Sequence, residues 1–160
     1  GLKIVPAPMS LDAALGRACD AVRDTADEHG LRFRRAPSGL DVMADDARVV
    51  QAFVNLLSNA VKFSPLGGVI DIEVRVENGA ARVDIADRGP GVPEEFRDVI
   101  FEPFRQVENS DARRRGGSGL GLTLARAIVQ LHGGGLGYEP RPEGGSIFWL
   151  TLPLAAGHAS

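Results

Sequence analysis

The pattern that most restricts the fold is a pair of alternating segments in the middle of the chain. Residues 69–76 (VIDIEVRV) and 81–86 (ARVDIA) switch between apolar and polar side chains with period two, and Glu77-Asn78-Gly79-Ala80 lies between them. Successive side chains of a strand point to opposite faces, so the pattern predicts a β-hairpin with one face buried. A central antiparallel hairpin excludes a purely parallel βαβ winding. Helical spacing appears on both sides of it. Leu11, Leu15, Ala18/Cys19 and Val22 follow Ser10, a candidate N-cap, and end at His29-Gly30. A second helix is capped by Asp45, runs through Phe63 and is stopped by Ser64-Pro65. A third starts near residues 118–121 and carries Leu122, Leu124, Ala125, Ile128, Val129 and Leu131 to His132-Gly133. Residues 31–35 and 41–43 alternate like short strands, and residues 134–138 and 146–154 read as a closing strand pair. The fold class is α+β, a single pair of layers.

A chain of 160 residues, 44% hydrophobic and 24% charged, can bury the core of one ordinary domain. No internal repeat and no dividing linker interrupts it. Residues 6–10 (PAPMS) form a stiff leading segment, the domain is expected over residues 10–154, and residues 155–160 read as a frayed tail. The net charge of -3 gives no electrostatic reason to expect nucleic acid or an anionic membrane. No apolar run approaches the length of a membrane span. The chain opens on Gly1, so it is expected to be a piece of a longer protein whose membrane segment, if it has one, lies elsewhere. Cys19 is the only cysteine, which excludes an internal disulfide and reads as a small core thiol. Lys3 and Lys62 are the only lysines among 18 basic residues, the rest being arginine, so an ammonium at position 62 stands out.

On the second helix, Asn55, Asn59 and Lys62 follow one another at spacings of four and three, on neighbouring turns of one side. Val54, Leu56, Leu57, Ala60, Val61 and Phe63 make up the part a helix buries. Amide oxygens can ligate Mg²⁺, and a lysine can meet a phosphate as a point charge. The face is therefore either a metal–triphosphate face or a solvated stripe. Residues 87–93 (DRGPGVP) leave the end of the hairpin's second strand. A carboxylate there can accept a hydrogen bond from an exocyclic amine, and glycines flanking Pro90 let backbone approach a flat ring; a tight turn with a solvated aspartate has the same pattern. Residues 116–122 (GGSGLGL) open the third helix, where unpaired N–H groups and the positive dipole end attract anions. The spacing is neither the dinucleotide fingerprint nor a Walker loop, which would carry a lysine after the glycines.

The segments NLLSNAVKF, DRGPGVP, IFEPF and GGSGLGL resemble, in this order, the N, G1, F and G2 boxes of the catalytic and ATP-binding domain of sensor histidine kinases, of the GHKL type. Gly144-Gly145-Ser146 is similar to the family's last glycine box, and the resemblance covers roughly residues 10–154. It implies a Bergerat-type two-layer α/β sandwich, with three helices on a mixed, mostly antiparallel sheet, binding ATP and Mg²⁺. By the resemblance, Asn59 is the metal ligand, Asn55 lines the same face, Lys62 contacts phosphate and Asp87 holds the adenine amine. Gly89 and Gly91 shape the base pocket, with Phe63 beside them. Gly117, Gly119 and Gly121 supply a lid hinge and phosphate-facing amides, and Ser118, Leu120 and Leu122 are counted with them as ATP-binding. Phe101 and Phe104 anchor the lid, at about residues 105–119. Where many members carry an arginine after the F box, this chain has Gln106, as other members do, so the γ-phosphate contact falls to Arg105 or to Arg113-Arg114-Arg115, or is weaker; the arginine run reads first as a solvated lid face.

Related ATPases of the gyrase and Hsp90 kind place a glutamate one turn before the metal-ligating asparagine. Here that residue is Asn55, and an amide is no general base at neutral pH. The resemblance thus implies phosphoryl transfer, with Asn55 and Lys62 as the catalytic pair. The acceptor is a histidine on a separate dimerisation domain of the same parent, to which residues 1–9 would be the end of a linker. His29, His132 and His158 lie at helix ends or in the tail without an adjacent carboxylate, and none fits that role. The implied partners are that domain and a cognate response regulator. The parent is expected to be a cytoplasmic or membrane-anchored homodimer, and this domain alone a cytoplasmic monomer. The other two readings are a non-catalytic nucleotide-binding docking module and a serine kinase of the anti-sigma-factor type.

Overall fold

A computed structural model of the protein describes residues 2–102 and 121–156. Along the chain run β1 (Ala7–Ser10), α1 (Leu11–Glu28), β2 (Arg32–Arg35), β3 (Asp41–Ala44), α2 (Asp46–Phe63), β4 (Val69–Glu77) and β5 (Ala80–Asp87). A 3₁₀ turn (Glu94–Phe96), α3 (Gly121–Leu131), β6 (Leu136–Pro140) and β7 (Ser146–Pro153) complete the described elements. The main sheet has the order β2-β4-β5-β7-β6, and only β2 and β4 are parallel. The described helices form the second layer, with α2 packed against both α1 and α3 and lying over β5. This is the α+β sandwich expected from the sequence.

Local chemistry accounts for the element ends. Ser10 caps α1 by accepting from the Ala13 N–H, and Asp45 caps α2 by accepting from the Arg48 N–H. Ser64 leaves the helix in extended conformation before Pro65, as a residue preceding proline should. The β4–β5 hairpin turns on Asn78 and Gly79, whose φ values of 53° and 77° suit a tight two-residue connection. The leading proline-containing segment forms β1, which pairs antiparallel with β3; an isolated bridge from Val42 to Leu154 joins this small sheet to the end of β7. Ala155 is buried and donates to the Asp41 carbonyl.

The core lies between the layers. Leu11, Leu15, Phe53, Leu56, Leu57, Ile70, Ile85, Ile128, Leu150 and Leu152 are all closed to water. Cys19 is a buried thiol among them, as its helical spacing predicts. β5 departs from the one-faced burial expected of the hairpin. Arg82 and Asp84 point away from the helices, yet both are buried, because β5 sits in mid-sheet and neighbouring side chains close over it. Arg82 lies 4.8 Å from the Trp149 ring centroid and donates to Asp84 and Glu139.

Candidate functional site

α2 buries Val49, Ala52, Phe53, Leu56, Leu57, Ala60 and Val61, which leaves Asn55, Asn59 and Lys62 half-buried along its shoulder. Asn55 Nδ2 donates to the Gly121 carbonyl at 3.1 Å, so one amide of the stripe ties α2 to the first residue of α3. The Asn59 side chain has no hydrogen-bond partner among the described residues.

The end of β5 delivers Asp87 to the end of α2. The residue is 1% exposed. Burial pushes its pKa up to about 6, against the N–H donors of Gly89 and Ser146 and the more distant charge of Arg141. The Gly89 N–H reaches Asp87 Oδ1 at 2.9 Å. Two glycines make this crossing possible. A Cβ on Gly89 would collide with the Phe63 carbonyl at the end of α2, and one on Gly145, at φ 114°, would collide with the Asp87 carbonyl. Three passes of the chain therefore meet, backbone against backbone, around one buried carboxyl group.

Beyond this loop, Phe101 packs edge-on against Phe148, with ring centroids 6.4 Å apart, and the Arg126 guanidinium sits 5.5 Å from its centroid. Thr123 Oγ1 donates to the Phe101 carbonyl at 2.6 Å, joining the segment after Asp87 to the first turn of α3. Leu122 packs half-buried on the core. Asn55, Asn59, Lys62, Phe63, Asp87, Gly89, Gly91, Phe101, Gly121 and Leu122 thus all lie on α2, on the chain leaving β5, or on the start of α3. Phe104, Arg105, Gln106, Arg113-Arg114-Arg115, Gly117, Ser118, Gly119 and Leu120 lie outside the described residues.

Sequence reasoning missed three contributors. Ser64 Oγ, one residue past Phe63, is the buried side-chain polar atom without a hydrogen-bond partner among the described residues. Its role as helix stop was legible and its hydroxyl was not. Tyr138 and Arg97 both bond the backbone of Val92 in the loop after Asp87. A lone tyrosine and one arginine among many carry no signal of that. Among the described residues, no group of three His, Cys, Asp or Glu side chains is arranged to hold a metal ion.

Residues 44–156 match the profile of a family described as histidine kinase-, DNA gyrase B- and HSP90-like ATPases. The chain belongs to this ATPase family. Among its relatives are the sensor protein CutS of Streptomyces coelicolor, 33% identical over 148 residues, and the sensor-like histidine kinase SenX3 of Mycobacterium tuberculosis, 33% identical over 146. These alignments take in 92% and 91% of this chain but 36% of each relative, so the chain spans about a third of their length. A solved structure of the mycobacterial sensor histidine kinase MprB superposes with a TM-score of 0.82 at 29% identity, over 94% of this chain and 98% of that one. Full-length ShkA in complex with AMPPNP superposes at 0.80 and 29% identity, over 99% of this chain and 33% of ShkA. The fold is that of histidine kinase catalytic domains, and the ATPase-family membership makes this an ATP-binding domain.

Proposed function

We propose that this domain holds Mg·ATP between α2, the loop after β5 and the start of α3, and delivers the γ-phosphate to a histidine on a separate dimerisation domain of its parent. The observation that carries the reading is the buried carboxyl group of Asp87, cradled by Gly89 and Gly145, with Gly89 pressed against the Phe63 carbonyl at the end of the helix that carries Asn55, Asn59 and Lys62. A buried carboxylate with only backbone donors keeps acceptor capacity for an amine of the base. Asn59, with no partner among the described residues, has a free amide oxygen for Mg²⁺. Mg²⁺ usually takes few protein ligands and completes its shell with phosphates and water, so one amide suffices. When bound, the ion would neutralise charge on the triphosphate; Lys62 would add a point charge on the same face.

Transfer is favoured over hydrolysis because Asn55 spends its amide N–H on the Gly121 carbonyl and has no basic lone pair to activate water. This chain's contribution is then positioning and charge neutralisation. The acceptor histidine belongs elsewhere. His132 is 8% exposed, its Nδ1 is 2.7 Å from the Ile128 carbonyl and its Nε2 accepts from the Asp45 N–H, so neither nitrogen is free to attack. The partners of the reading are the parent's dimerisation domain, which would make the parent a homodimer, and a response regulator that receives the phosphate. Among the described residues no helix is long and apolar enough to cross a membrane.

Incubating the domain with γ-labelled ATP and its parent's dimerisation domain tests the reading. Acid-labile label should appear on the dimerisation domain and none on this one, and Asn59→Ala should abolish the transfer. Label on this domain, acid-stable label on a partner serine, or full transfer by Asn59→Ala would each overturn it.

A further inference from the structure

Five residues after Asp87, the Val92 peptide is gripped on both sides. Its N–H donates to Tyr138 Oη at 3.1 Å, and its carbonyl accepts from Arg97 Nε at 3.1 Å. The two gripping side chains also hold each other, with the Arg97 guanidinium carbon 5.4 Å from the Tyr138 ring centroid. Tyr138 stands on β6 opposite Phe148 of β7, and the two rings are tilted with centroids 5.3 Å apart. Phe148 is itself 4% exposed, so the grip is fastened to the packed sheet. Tyr138 Oη would also touch, at 3.5 Å, any Cβ placed on Gly91, whose positive φ of 78° bends the loop toward it. A loop rich in glycine and proline would otherwise sample many conformations, and each fluctuation would move it relative to Asp87.

We propose that Tyr138, together with Arg97, is a positioning residue for base recognition: it fixes the loop after Asp87 so that a planar, amine-bearing base is met by a preorganised surface. The inference rests on the reading of Asp87 as the base-binding carboxylate. It assigns Tyr138 to the base alone. The candidate phosphate and metal residues Asn59 and Lys62 sit on α2, and Tyr138 bonds the loop and β7 instead. Preorganisation of this kind raises affinity by removing an ordering cost on binding.

The test compares two ligands on the domain as it stands, Mg·ATP and Mg·tripolyphosphate, the second carrying no base. Tyr138→Phe keeps the ring and its packing and loses only the acceptor for the Val92 N–H. It should weaken Mg·ATP about five- to tenfold, the worth of one hydrogen bond, and leave tripolyphosphate unchanged. Hydrogen exchange at the Val92 amide should quicken in the free protein. Arg97→Gln, which frees the Val92 carbonyl, should reproduce the same split between ligands. Equal losses for both ligands, or unchanged Mg·ATP affinity despite faster exchange at Val92, would overturn the proposal. Asp87→Asn separates the two levels. If it leaves Mg·ATP binding intact, the base-site reading itself fails. If it weakens Mg·ATP while Tyr138→Phe does not, only the role of Tyr138 falls.

Discussion

At Asp87 the folded chain withholds a carboxyl group from water, and its pKa rises from the ordinary 3.8 to about 6 because burial disfavours the charged form. The consequence for stability has a definite sign. Below pH 3.8 the group is protonated in both folded and unfolded chains and costs nothing. Between 3.8 and 6 the unfolded chain ionises first, so stability falls as pH rises, and above 6 the full cost is present. A rise of that size corresponds to roughly 3 kcal/mol as an upper figure. Asn keeps one oxygen to accept an N–H, of the two that Gly89 and Ser146 supply, and removes the charge. Asp87→Asn should therefore stabilise the free domain by about 1–3 kcal/mol at about pH 7.5, and by much less near pH 4.5, as urea denaturation at the two pH values would measure. An equal effect at both pH values would refute the burial cost. The same variant should bind ATP at least about tenfold more weakly by calorimetry, a trade of function against stability.

At the scale of elements, α2 and α3 are fastened to each other at two places. Asn55 bonds the Gly121 carbonyl at the start of α3, and His132, just past the end of α3, accepts from the Asp45 N–H at the start of α2. The two helices therefore run antiparallel, and the spacing of these anchors is nearly equal along both. Asp45 is a junction. Its carboxylate caps α2 through the Arg48 N–H and also accepts the Val5 N–H from the leading segment at 2.8 Å. With Nε2 accepting from the Asp45 N–H, the tautomer that fits carries its hydrogen on Nδ1, facing the Ile128 carbonyl. His132→Phe would fill the space and leave the Asp45 N–H without its acceptor. It should cost about 1–3 kcal/mol in chemical denaturation; a variant as stable as the parent would show that the junction carries no energy.

Across the whole molecule, the sheet divides two tasks between its faces. The helix-facing side closes the core and presents the site along the ends of β5 and α2. On the other side, charged side chains cover the central strand. Arg82 joins Asp84, Glu139 and Glu77, while Arg75 bridges Asp84 and Glu77. Arg82 and Asp84 side chains are 9% and 12% exposed, so removing Arg82 leaves the buried Asp84 charge with only Arg75 to offset it. Arg82→Met should destabilise the domain by about 3 kcal/mol with ATP affinity unchanged, and Arg82→Met combined with Asp84→Leu should recover much of the loss. Failure of the double variant to recover would mean that the network contributes more than its own desolvation.

Much of this architecture was legible before any tertiary contact. The caps Ser10 and Asp45, the stop at Ser64-Pro65, the Asn78-Gly79 turn and the periodicities of the helices and of the β4–β5 hairpin depend on residues a few positions apart, which a sequence displays directly. The ordered glycine and asparagine motifs identified the family on the same footing. Other facts depended on partners far away in the chain. β1 exists because β3 pairs with it, and β2 is parallel to β4 across the whole of α2. Arg82 and Asp84 look solvent-facing by alternation and are buried by Trp149 and Glu139 from strands much later in the chain. Taken alone, the Asn55, Asn59 and Lys62 stripe was compatible with solvation. Packing left all three half-buried and turned the Asn55 amide to the Gly121 carbonyl. The sequence by itself determined the elements, their ends and the family, because those follow from local backbone preferences and short motifs. Only the tertiary structure decided which polar groups lose water and which partners they gain, because desolvation is set by what the rest of the chain brings alongside.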